Sequence, residues 1–138
     1  MLTDEEIITF ISNNYQNGQA LEDFFSQLKQ PLSVEVLTWK PPLSLAGKTT
    51  NFLAYTSEYD CFKHIVELST EAALTTALEE PSFNSASPSP MEAILYLSSS
   101  GGKEDNILSL FEKISPKIIN LILFQKTNKG IGVLTFAF

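Results

Sequence analysis

The chain has 138 residues, sixteen acidic side chains against nine lysines, and a formal net charge of −7. It has one histidine, one cysteine and no arginine, which excludes imidazole clusters, intrachain disulfides and thiolate zinc sites within one chain. Without arginine it also lacks the usual bidentate clamp for carboxylate and phosphate, and an acidic chain is a poor match for nucleic acid, whose binding rests on lysine and arginine neutralising phosphates.

Ten phenylalanines and a hydrophobic fraction of 43% suffice for a packed core, and the length fits one domain over 1–138. No apolar run approaches the ~20 residues of a membrane-spanning helix. The acidic start of the chain lacks the basic and apolar stretches of a secretory signal. With Cys61 unpaired, the expectation is a soluble protein of a reducing, cytoplasmic setting, off the membrane.

The first element announces its own start. Thr3 and Glu6 have capping-box spacing, and Leu2 with Ile7 is placed for a hydrophobic staple. Ile7, Phe10, Ile11 and Tyr15 then recur at helical spacing until Asn17 and Gly18. Leu21, Phe24, Phe25 and Leu28 form a second stripe closed by Pro31, so the two segments predict a helical hairpin.

Residues 32–39, rich in β-branched side chains between prolines, predict a strand, and 51–56 a second. A helix is expected over 59–80, with 64–68 as an alternative short strand. The Ser/Pro-rich stretch 81–90 reads as a flexible surface loop. Residues 93–97 predict a strand, 103–114 a helix with Ile107, Leu110, Phe111 and Ile114 on one face, and the nearly continuous apolar run 118–124 a doubly covered strand. A turn at 127–130 would return 131–138 as its antiparallel partner. The predicted fold is α+β: one domain with a mixed sheet of about five strands, a right-handed βαβ crossover, and the helical hairpin and further helices packed on the sheet.

Three groups of residues invite chemistry. On a continuous helix, Asp60, His64, Glu67 and Glu71 would share a narrow stripe, either a row of oxygen and imidazole ligands or a solvated face with Lys63 pairing Glu67. Ser99, Ser100, Gly101 and Gly102, between a predicted strand and helix, form a candidate anion-binding turn, although Glu104 and Asp105 already supply negative charge there. Cys61 and His64, three residues apart, are within reach of one another on a helix, but neighbouring carboxylates disfavour a thiolate. The Gly47-Lys48-Thr49 echo of a phosphate loop lacks the upstream glycine.

No complete catalytic constellation, metal set or cofactor motif emerges. Charge is uneven, however: residues 1–80 hold twelve acids and four lysines, a balance of −8, and residues 81–138 hold four acids and five lysines, a balance of +1. The expected function is therefore a non-enzymatic acidic protein-binding module of the adaptor, chaperone or immunity-inhibitor kind. Its basic partner would meet Glu58, Asp60, Glu67 and Glu71. The alternative is a small enzyme or ligand-binding domain with its site near 98–103 or 60–71. Homo-oligomerisation is compatible with either.

Overall fold

The computed structural model describes residues 1–41, 51–80 and 89–126. Among them every regular element is helical: α1 (Asp4–Asn14), α2 (Gly18–Gln27), α3 (Val34–Leu37), α4 (Phe52–Tyr55), α5 (Phe62–Leu68), α6 (Glu71–Leu78), α7 (Pro90–Ser100), α8 (Glu104–Lys113) and α9 (Pro116–Lys126), with a 3-10 turn at Thr56–Glu58. The expected α+β fold with its mixed sheet is thus replaced by a helical one. The only β-type pairing among these residues is an isolated bridge between Leu32 and Ser69. The proposed hairpin strand 131–138, its turn, the 42–50 segment and residues 81–88 lie outside the described residues.

Side-chain caps write most of the helix starts. Thr3 and Glu6 form a complete capping box on α1, and Asn17 caps α2 by accepting from the Ala20 amide at 3.1 Å. Ile7 and Ile11 of α1 and Leu21 and Phe25 of α2 are buried. Beyond them, Phe10 stacks on Phe24 with ring centroids 4.1 Å apart. Gln30 then ties the pair back to the chain start, donating to the Leu2 carbonyl at 2.8 Å and accepting from the Leu2 amide at 2.9 Å.

The same mechanism overturns the predicted strands. In place of strand 32–39, Ser33 caps the single turn α3, and the Thr38 hydroxyl back-bonds to the Val34 carbonyl at 2.7 Å. In place of strand 51–56, Asn51 accepts from the Ala54 amide at 3.0 Å and starts α4. Its amide nitrogen donates to the Ala77 carbonyl at 2.9 Å and to Glu80 at 2.8 Å, and Glu80 also receives Lys40 at 2.6 Å. In place of strand 93–97, Ser89 and Glu92 build a second capping box with Pro90 in the first turn of α7. Proline is favoured there because its missing N–H would have had no helical partner. Ser89 and Pro90, placed in the loop by the sequence reading, are therefore buried parts of a helix start.

The expected long helix 59–80 is also broken. The Ser69 hydroxyl bonds the Ile65 carbonyl at 2.7 Å, ending α5, while Thr70 accepts from the Ala73 amide at 3.1 Å and opens α6.

Helix α7 occupies the centre. Met91, Ala93, Ile94, Leu95, Leu97 and Ser98 are all buried, and it packs against α4, the 3-10 turn, α6, α8 and α9. A helix apolar on nearly all sides belongs in the interior. One buried cluster joins side chains from α1 through α9.

The run 118–124 is the remaining correction. It belongs to α9, where Ile119 and Ile122 are buried at 7% and 2% exposure while Leu121 is 50% exposed. Residues three apart share a helical face, whereas a strand would put 119 and 121 together. Ile122→Ala is accordingly expected to cost about 2–4 kcal/mol, through lost burial plus a cavity, and Leu121→Ala under about 1 kcal/mol. Urea unfolding of the two variants checks this; equal losses at both positions would refute the helical register.

Candidate functional site

Two of the acidic residues singled out by sequence do converge, and the fold adds a third. Gly18, Gln19 and Glu22 from one flank of α2, Glu58, Tyr59 and Asp60 from the chain after α4, and Lys103 before α8 line an open depression of about 500 Å³. Its floor depends on a close approach: a Cβ at Gly18 would lie 2.9 Å from Cε1 of Tyr59, so the absence of a side chain there lets the Tyr59 ring settle against α2. Burial raises the Tyr59 phenol above its ordinary value, leaving it a neutral hydroxyl at physiological pH.

The polypeptide between the 3-10 turn and α5 is held from below. The side-chain amide of Asn106, buried in α8, donates to the Ser57 carbonyl at 2.9 Å and the Tyr59 carbonyl at 3.0 Å. The Ser98 hydroxyl of α7 bonds the same Ser57 carbonyl at 3.2 Å. Glu58 and Asp60 flank Tyr59, so these bonds fix the segment that presents both carboxylates to solvent.

Within the depression, Asp60 pairs with Lys103 at 2.6 Å. This hydrogen bond, with the attraction of the Asp60 charge, raises the Lys103 ammonium pKa. Glu22 accepts from the Cys61 amide at 3.1 Å. Glu58 is exposed. Among the described residues, three carboxylates therefore face one ammonium, and that ammonium is already paired.

Glu67 and Glu71 lie elsewhere. Glu67 is an exposed residue of α5, its carboxylate 3.6 Å from Nδ1 of His64. It borders a shallow 180 Å³ groove between α5 and α8. Glu71 falls beyond the Ser69–Thr70 break, in the first turn of α6, and accepts from the Ser115 amide at 3.1 Å. The stripe Asp60–His64–Glu67–Glu71 thus loses its single helix. Among the described residues, no group of three or more His, Cys, Asp or Glu is placed to hold a metal ion. Lys63, expected beside Glu67, lies 3.5 Å from Asp105 instead.

The other sequence candidates are structurally engaged. His64 donates from Nε2 to the Leu28 carbonyl at 2.7 Å, securing the end of α2. Cys61 is buried, and burial, reinforced by the Glu22 charge, pushes its thiol pKa far up. It is a neutral thiol, not a poised nucleophile. Ser99, Ser100, Gly101 and Gly102 form the end of α7 and its C-terminal cap, not a loop entering a helix from a strand. The amides of Gly101, Gly102 and Lys103 donate to the carbonyls of Leu97, Ser99 and Ser98, and Gly102 adopts the left-handed φ of 71° that this kind of cap uses.

A larger groove, about 530 Å³, runs along α1 beside Phe24. Sequence reading missed it because it arises only when α1 and α2 pack. Its signal was the pair of phenylalanines flanking the buried stripes of the two helices.

No helix among the described residues is long and apolar enough to cross a membrane. No family model, no curated protein and no solved structure matches the chain.

Proposed function

We propose that the protein is a non-enzymatic acidic binding module that engages a basic surface of a partner protein at the depression lined by Glu22, Glu58 and Asp60. The observation that carries this reading is the convergence of three carboxylates from two distant stretches of chain on one open concavity, whose one lysine among the described residues is neutralised by Asp60. Like charges gathered in a recess raise the local potential and speed encounter with an oppositely charged surface.

The test is comparative capture from the native host with the wild-type protein and a Glu58→Lys/Asp60→Asn variant, followed by association kinetics of any partner retained by the first and lost by the second. The expected result is a basic partner whose association rate falls roughly tenfold in the variant at low salt, the two rates converging as salt rises, because rim charges act mainly on encounter and are screened within about 8 Å at physiological ionic strength. Identical retention by both proteins, or a rate indifferent to salt, would refute the assignment.

A further inference from the structure

The groove along α1 has a chemistry different from that of the acidic depression. Glu6, Thr9, Phe10 and Asn13 recur at the spacing of one helix face, next to the stripe of Ile7 and Ile11 that enters the core. Leu2, Phe10 and Phe24 supply apolar surface at the groove, and all three are only partly buried. The stacked pair Phe10 and Phe24 therefore shows carbon to solvent midway along it.

The ends of the groove are unlike. Glu5 and Glu6 stand at one end and Asn13 at the other. Glu6 is held below the ordinary carboxylate range by its bond from the Thr3 amide, so it carries full charge at neutral pH. Among the described residues no lysine lines the groove, and neither α1 nor α2 contains one. From Glu5 to Asn13 the helix advances about 12 Å at 1.5 Å per residue. That length accommodates anchors at i, i+3 or i+4, and i+7 of a docked helix.

We infer that this groove receives an amphipathic helix of a partner protein, its apolar side chains on the Phe10–Phe24 surface and lysine or arginine in its last turn beside Glu5 and Glu6. Orientation follows from charge. The amino-terminal end of α1 carries the positive end of its dipole, so a partner helix running antiparallel brings its own negative carboxyl end there, and basic side chains in that last turn meet the two glutamates. A second copy docking through the same face is a poorer occupant: its α1 and α2 would bring acids and no lysine to an acidic rim. This inference goes beyond docking at the depression and is separable from it, because Glu22 and Phe24 stand on opposite flanks of the α2 stripe that Leu21 and Phe25 bury.

The probe is a fluorescein-labelled model helix of ~14 residues, with leucine at i, i+3, i+4 and i+7 and lysines in its last turn, compared with the same peptide carrying glutamate in place of lysine. Fluorescence anisotropy with the full chain should show the lysine peptide binding at least about tenfold more tightly. Thr9→Lys and, separately, Asn13→Lys, both exposed positions on α1, should each weaken the lysine peptide about tenfold with unchanged helical circular dichroism, while Glu58→Lys should leave it within about twofold. Equal affinity for the two peptides, no binding of either, or indifference to both α1 substitutions would overturn the inference. Loss confined to Glu58→Lys would overturn it too, while supporting the depression as the docking site. Sedimentation showing a dimer that Thr9→Lys dissolves would assign the groove to a second copy and so reject a partner helix.

Discussion

Replacing Phe52 with alanine is expected to destabilise the protein by about 3–5 kcal/mol, the range for deleting a fully buried aromatic ring. Phe52 has no exposed surface and sits where three segments meet: its ring lies 5.3 Å from that of Phe25 in α2 and 6.5 Å from that of Trp39 after α3. It also begins α4, the short helix on which the 3-10 turn and Glu58 depend. A single turn of helix has almost no stability of its own, so α4 persists because all four of its side chains are buried. Against a typical total of about 5–15 kcal/mol, the loss should shift the urea midpoint strongly or abolish folding at 37 °C. Phe52→Leu, which keeps most of the volume, should recover more than half of the loss. A midpoint shift worth under about 1 kcal/mol for Phe52→Ala would mean that this junction is not core.

Asn106→Ala should cost about 1–3 kcal/mol, because it removes one buried and one partly buried hydrogen bond. Ser57 keeps the Ser98 hydroxyl and Tyr59 keeps the Phe62 amide at 3.2 Å, so neither carbonyl is orphaned and the damage is the loosened tie between α8 and the segment that carries Glu58 and Asp60. Asn106→Asp gives a sharper result. A carboxylate there would face two carbonyl oxygens, so its folded-state pKa must lie above the unfolded value of about 3.9. For a group raised in this way, stability is greatest below the unfolded pKa and is lost as pH rises through the folded one. The deficit of Asn106→Asp relative to wild type should therefore be largest near neutrality and shrink on acidification, whereas that of Asn106→Ala should track wild type across the same range. Urea midpoints at pH 7 and pH 5 decide the matter; a pH-independent deficit for Asn106→Asp would contradict the observed donor geometry.

Capping chemistry carried more information about this fold than hydrophobic pattern did. Thr3 with Glu6 marks a helix start in the sequence and does so in the structure. The same signature recurs at Ser89 and Glu92, with Pro90 in the favoured first position, yet the apolar run that follows resembles a strand equally well. Short apolar runs do not distinguish a buried helix from a covered strand. Around α7, burial on nearly every side erases the polar face that would have revealed a helix. Ser115 and Pro116 present the converse difficulty. Read as the stop of α8, they also start α9, with the Ser115 hydroxyl accepting from the Ile118 amide at 3.4 Å. Val34, Val36 and Thr38 suggest a strand by propensity, which packing overrides.

The site was legible only in part. Glu58 and Asp60 are close in sequence and remain neighbours in the depression, but Glu22 reaches them across α2·α5 packing that no local pattern encodes. Thr70 was the overlooked residue in the acidic stripe. As an N-cap it divides the helix, so Glu71 faces α9 instead of continuing the row from Asp60. Four residues at helical spacing form a row only if the helix is unbroken, and a threonine followed by glutamate is a common place for one to begin.

Glu80 receives both Lys40 and Asn51, and that convergence bears on what the protein will tolerate. Lys40 and Asn51 are thereby held against a single carboxylate, with buried Asn51 also anchored to Ala77. The two residues are therefore pinned to one another through the residue that ends the 71–80 segment. A carboxylate shared by a lysine and a buried amide thus couples two separate stretches of the chain, so that a change at Glu80 is felt at both.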